Sequence, residues 1–267
     1  MNKKVGIIGI GNMGSAFVDG LVKGKVVSSS HVIIFDADTR RMRKWKVKKA
    51  SSVRDLAGQA DIIILAVKPY QMDAVLKEAA LAGEKKKLFV SIAAGYPVSR
   101  MQKILERDAK LIRLMPNTPC KVGKGIIGLY SAEGVTRVDI KTIQDICQPL
   151  GKVIVLKTEK QIDAITAISG SGPAYFYYFA EGLEQAARKL GFNEEVARKL
   201  AVSTMIGSAE LLESAQQTPK SLRQAVTSKR GTTEAAIKSF EKDRLFRIVE
   251  KAVYGAFKRA GEIAKGK

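Results

Sequence analysis

The feature that most restricts this chain is Gly9-Ile10-Gly11-Asn12-Met13-Gly14, set between a strand-like run, Val5 to Gly9, and a helical pattern, Met13 to Val22. Each glycine has its own physical reason at such a turn. The first permits the tight turn, the second lets the backbone approach a pyrophosphate, and the third lets helix and strand pack closely. The helix N-terminus then offers phosphates N–H groups that lack intrahelical partners. Alone, the spacing marks many ordinary turns; between a strand and a helix it predicts a dinucleotide-binding βαβ unit. Asp36 closes the next strand-like run, His31 to Asp36. A carboxylate there accepts hydrogen bonds from the adenosine ribose and repels a 2′-phosphate, which leans toward NADH. Arg40 and Arg41 follow within one helical turn. Guanidinium groups suit phosphate recognition, so NADPH stays open, although both arginines could equally belong to a solvated basic helix.

Apolar runs continue at Asp61 to Val67, Leu88 to Ile92 and Lys110 to Met115, with a short strand expected near Lys46 to Ala50. Continuous β-branched runs separated by helices predict a parallel sheet covered on both faces, an α/β doubly wound Rossmann-like domain over residues 1–158. Residues 159–267 change character. Pro173 to Leu190, Asn193 to Ser214, Pro219 to Thr227, Thr232 to Lys242 and Arg244 to Lys265 all carry helical periodicity. The first of these holds Tyr175, Phe176, Tyr177, Tyr178 and Phe179 in succession, apolar nearly all round. Such a helix has to be buried on most sides, which predicts a homodimer through an all-helical C-terminal domain.

Composition removes several classes of function. The two cysteines, Cys120 and Cys147, lack metal-ligand spacing, and His31 is the only histidine. No metal site is expected, nor a histidine acid or base. Gly170-Ser171-Gly172-Pro173 interrupts the longest uncharged stretch, so no membrane span is expected. The N-terminus runs straight into a strand without a cleavage pattern, which reads as cytoplasmic. The net charge of +20 includes seven basic residues between Arg40 and Lys49. Scattered lysines are usually a solvated surface; no helix-turn-helix, zinc or RNA-binding motif accompanies them, so no specific nucleic-acid partner is expected.

Three motifs close successive strands: Ala66-Val67-Lys68-Pro69, Ser91-Ile92-Ala93-Ala94-Gly95, and Arg113-Leu114-Met115-Pro116-Asn117-Thr118-Pro119. Each proline could merely punctuate a loop, but ligands of open α/β sheets bind beyond the strand ends, where all three converge. In the helical half, Asp163 to Tyr175 is expected to lead from a loop into the apolar helix. Val226 to Thr233 ends one helix and opens another, presenting hydroxyls and N–H groups suited to a carboxylate.

In this order, from Lys4 to about Phe257, the motifs resemble those of the pyrroline-5-carboxylate reductase family. The resemblance implies a Rossmann domain, a helical domain that dimerises by interleaving helices, rings of dimers in some members, and hydride transfer from NADPH or NADH to the C=N bond of a small cyclic imine. It places Gly9, Gly11, Asn12, Met13 and Gly14 at the pyrophosphate, and Ala66, Val67, Lys68, Pro69, Ala93 and Asn117 around the nicotinamide and its ribose. Thr166 would lie at the substrate nitrogen. Ser228, Gly231, Thr232 and Thr233 would hold the substrate carboxylate, in the dimer that of the partner subunit. Ser228-Lys229-Arg230-Gly231 departs from the family's S-P-G-G, and Gln224 stands where Asp is usual. The rival readings are a related β-hydroxyacid dehydrogenase or imine reductase acting on another small substrate, and a non-enzymatic dinucleotide sensor or nucleic-acid binder. Oxidising an alcohol needs a general base, and the apolar helix offers no lysine before Lys189.

Overall fold

The computed structural model describes residues 3–83, 87–105 and 109–265. Strands β1 (Val5–Ile8), β2 (Val32–Phe35), β3 (Lys48–Lys49), β4 (Ile62–Leu65), β5 (Leu88–Ser91), β6 (Lys110–Pro116), β7 (Gly125–Ser131) and β8 (Gly151–Val155) form one sheet. Its order is β3-β2-β1-β4-β5-β6-β7-β8, and every pairing is parallel except β6 with β7. The chain leaves β1 in one direction to β2 and β3, then returns to add β4 beside β1. That reversal opens a crevice at the carboxyl ends of β1 and β4, where such sheets hold their ligands.

The apolar runs are continuous because both faces are covered. Ile7, Ile34, Ile64, Val90 and Ile112 point to one face, packed with Phe17 and Leu21 of α1 (Asn12–Lys23) and Ile143 of α5 (Arg137–Cys147). Ile8, Ile33, Ile63, Leu65 and Phe89 point to the other, with Leu56 of α2 (Val53–Gln59), Leu76 of α3 (Met72–Ala80) and Met101 of α4 (Val98–Gln102). Alternation along each strand therefore loads two cores at once. The basic segment is tethered by Asp19, which accepts from Trp45 Nε1 and Lys44 Nζ, both at 3.1 Å.

After β8 come α6 (Lys160–Ile165), a π-helical turn (Thr166–Gly170), α7 (Gly172–Lys189), α8 (Glu194–Ser214), α9 (Pro219–Ala225), α10 (Thr232–Lys242) and α11 (Leu245–Ala264). The stretch expected as a loop before the apolar helix is thus helical, with one wide turn. Its glycines and serines read as turn punctuation, yet they accommodate a π-bulge, a feature that collects at functional sites.

The chain divides into two compact units, one running to Ser171 and including the end of α11 from Ala256, the other Gly172–Gly255. Within the second unit, α7 packs along α8, and Phe179 meets Phe240 of α10 at 6.5 Å between ring centroids. Phe176 and Tyr178 nevertheless stay 64% and 78% exposed. A groove of about 880 Å³ runs past Ile237, Phe240, Leu245 and Phe246. So much bare apolar surface marks an association face. Among the described residues, no helix is long and apolar enough to cross a membrane.

Candidate active site

The glycine turn is built as its spacing requires. Gly9 has φ +92°, and a Cβ on it would lie 2.8 Å from the Ala66 carbonyl oxygen. A Cβ on Gly14 would fall onto the Gly9 carbonyl oxygen. At Gly11 a Cβ would meet nothing within 4 Å. Its bareness therefore serves no packing inside the protein; it leaves open the space directly before α1, whose N-cap, Gly11, makes no side-chain hydrogen bond. Free first-turn N–H groups facing an open cradle fit a dinucleotide pyrophosphate.

A cleft of about 640 Å³ extends from this cradle along the strand ends. Gly11, Asn12 and Met13 line it from the first loop, Ala66, Val67, Lys68 and Pro69 from the β4 end, and Ala93 from the β5 end, with Arg41 at one side. Ile10, Ser15, Ile92 and Ala94 complete the wall. The expected residues of three separate loops are thus brought together.

Two acids and two arginines sort differently from their order in the sequence. Asp36 is only 8% exposed, and its carboxylate faces the loop, not the cleft. Ile10 N–H donates to Oδ2 at 2.6 Å and Asp38 N–H to Oδ1 at 2.8 Å. Arg41 Nη1 stands 3.7 Å from Asp36 Oδ2 and lines the cleft. Arg40 is hydrogen-bonded to Asp38 through Nε at 2.8 Å and Nη2 at 3.0 Å, away from the cleft wall, while Arg41 Nε also stands 3.7 Å from Asp38 Oδ2. That hydrogen-bonded guanidinium holds the Asp38 carboxyl below its ordinary value.

One cation was not foreseen. Lys121, in the 3-10 turn after β6, brings Nζ within 3.1 Å of Asn12 Oδ1, at the edge of the cradle. Nothing local in the sequence marks it, since the approach joins segments far apart in the chain.

Asn117 and Thr166 lie outside the cleft wall but at the same edge of the sheet. Asn117 is 9% exposed and spans from the end of β6 to the π-turn. Thr166, half-buried, donates its hydroxyl proton to the Ile162 carbonyl at 2.6 Å. Its lone pairs are left as acceptors. Nearby Asp163 has its carboxyl pushed up, chiefly by burial.

In the second unit, Ser228, Gly231, Thr232 and Thr233 form a compact turn at the start of α10, closed by Gly231 N–H donating to Ser228 O at 3.0 Å. Arg230, where the resembled family has glycine, takes the left-handed conformation with φ 63°. Its N–H donates to Glu234 at 2.8 Å, a bond that, with Lys238, draws the Glu234 carboxyl down. The turn is kept at the cost of strain that a glycine would not carry.

Comparison with known proteins gives the following. The family model described as pyrroline-5-carboxylate reductase dimerisation matches residues 159–263, and that described as NADP oxidoreductase, coenzyme F420-dependent, matches residues 4–95. A pyrroline-5-carboxylate reductase of Pseudomonas aeruginosa is 35% identical, over 98% of this chain and 97% of that one. The solved structure of a pyrroline-5-carboxylate reductase from Coxiella burnetii superposes with a TM-score of 0.93 at 34% identity, covering 99% of both chains. That of Plasmodium falciparum pyrroline carboxylate reductase with NADP bound gives 0.89 at 31% identity, covering 98% of both.

Proposed function

This chain belongs to the pyrroline-5-carboxylate reductase family, and from that premise we propose the roles its residues take. It is an NAD(P)H-dependent oxidoreductase that reduces the C=N bond of 1-pyrroline-5-carboxylate to proline, and it carries the family's dimerisation domain. The observation that carries the reading is the open cradle at Gly11, continuous with a cleft along the strand ends.

When bound, the coenzyme supplies a hydride at the nicotinamide ring. A protonated C=N is already electrophilic, so the protein's task is to orient it and to accept its N–H. Thr166 suits that role because its own proton is committed to Ile162. In the dimer, the copy of the turn at the start of α10 that the partner contributes, with Ser228, Gly231, Thr232 and Thr233, holds the substrate carboxylate. No histidine is required, and His31 precedes β2, at the opposite end of the strands. The free buried thiols Cys120 and Cys147 suit a reducing compartment, and we assign the enzyme to the cytoplasm as a homodimer or a ring of dimers.

The test is coenzyme oxidation with 1-pyrroline-5-carboxylate beside its six-membered analogue. Rapid turnover of the five-membered imine is expected, and no turnover of either would overturn the assignment. Thr166→Val keeps the shape and removes the acceptor; kcat should fall about 100-fold, the scale for one lost polar contact to the reacting group.

For the coenzyme we propose NADPH. In sequence Asp36 leaned toward NADH, but both its oxygens already accept backbone N–H groups, and the cleft wall carries Arg41 and Lys68 with no carboxylate among the described residues. Arg41→Ala should lower kcat/KM for NADPH about tenfold, the scale of one charge-assisted hydrogen bond, and leave NADH nearly unchanged. An equal loss with both coenzymes would remove Arg41 from the 2′-phosphate.

A further inference from the structure

The Asn117 carboxamide makes three hydrogen bonds inside the protein. Nδ2 donates to the Ser169 carbonyl at 3.0 Å. Oδ1 accepts from Ile126 N–H on β7 at 2.9 Å and, weakly, from Cys120 Sγ at 3.9 Å. The carboxamide is therefore a strut from the β6–β7 corner to the π-turn. That turn has lost one of its helical donors. In a regular helix Ser169 O would accept from the N–H four residues on, but that residue is Pro173, which has none. Ser171 N–H reaches back to Thr166 O at 2.8 Å to close the wide turn.

We propose that Asn117 is a positioning residue. By supplying the donor that Pro173 lacks, it fixes the π-turn and with it the Thr166 hydroxyl that accepts from the substrate N–H. Without the strut, Ser169 O has to find another partner, and the turn relaxes toward a geometry that displaces Thr166. The proposal rests on the role given to Thr166 above.

Asn117→Asp keeps the size and the acceptor for Ile126 N–H, but sets a carboxylate oxygen against Ser169 O. The full-length protein would be assayed as Asn117→Asp, Thr166→Val and the double variant, with NADPH affinity measured by fluorescence. The expected result is a kcat at least tenfold lower in Asn117→Asp, an NADPH Kd within twofold of the parent, and a double variant no slower than Thr166→Val. Should Asn117→Asp fail to assemble, Asn117→Ala, which also loses the donor, carries the same comparison. Multiplying losses in the double variant would overturn the proposal, because residues acting through one group do not add. A Kd rising in step with the kcat loss would overturn it by making Asn117 a coenzyme contact. A wild-type rate in Thr166→Val would remove the Thr166 role and this proposal together, an outcome read from a different variant.

Discussion

Glu159→Ala is expected to lower the unfolding free energy by about 3 kcal/mol, the lower end of the range for breaking one side of a buried ion pair. Arg113 lies in the middle of β6 with its side chain 3% exposed. Its Nη1 donates to Glu159 Oε1 at 2.7 Å, and the same oxygen accepts Val98 N–H at 2.7 Å, at the start of α4. Removing the carboxylate strands two donors together, and an arginine cannot shed its charge to relieve the cost. Glu159 is itself partly solvated, which holds the estimate at the low end. Denaturant titration at one fixed protein concentration measures it, since association shifts the midpoint of a dimer. Arg113→Met combined with Glu159→Leu should recover most of the loss. A single variant as stable as the parent would mean that the pair contributes nothing net.

The second large effect separates two glycines of one motif. Gly14→Ala sets a methyl group against the Gly9 carbonyl oxygen, a clash with backbone in which no flexible side chain can give way. The turn must open, and NADPH affinity should fall at least about 100-fold, alongside roughly 3 kcal/mol of stability, the scale of overpacking. Gly11→Ala meets no protein atom within 4 Å. Its stability should stay within about 0.5 kcal/mol of the parent, as for an exposed site, while NADPH binding weakens about tenfold or more. Fluorescence titration beside thermal unfolding reads both. Undiminished binding by Gly11→Ala would mean that the open space is not where the pyrophosphate lies.

What the sequence made legible follows from how local each cause is. Five of the first six strands could be read because their apolar runs reflect burial on two faces, the exception to that pattern being β3 with its exposed Lys48 and Lys49, and the cradle because its glycines act within a few residues. β7 and β8 escaped. Gly125 and Gly128 dilute the apolar run, and Gly128 is bare because a Cβ there would lie 2.9 Å from Ile165 of α6, a contact set by tertiary packing. Asp36 was visible as an acid at a strand end, whereas its capture by the Ile10 and Asp38 amides depends on the folded path of two loops. Asn117 was legible as a residue near the ligand, whereas its bonds to Ser169 and Ile126 depend on tertiary packing.

The short strand β3 bears on a hazard of every open sheet. An unpaired edge offers its N–H and C=O groups to any other strand that arrives, including the same strand of another molecule. Here that edge is only two residues long, and both are exposed lysines, Lys48 and Lys49. Two copies meeting edge to edge would set ammonium against ammonium before a ladder could form. Part of the unusual positive charge thereby acts as insulation against runaway self-pairing, and concentrated salt, which screens such repulsion, should thin it.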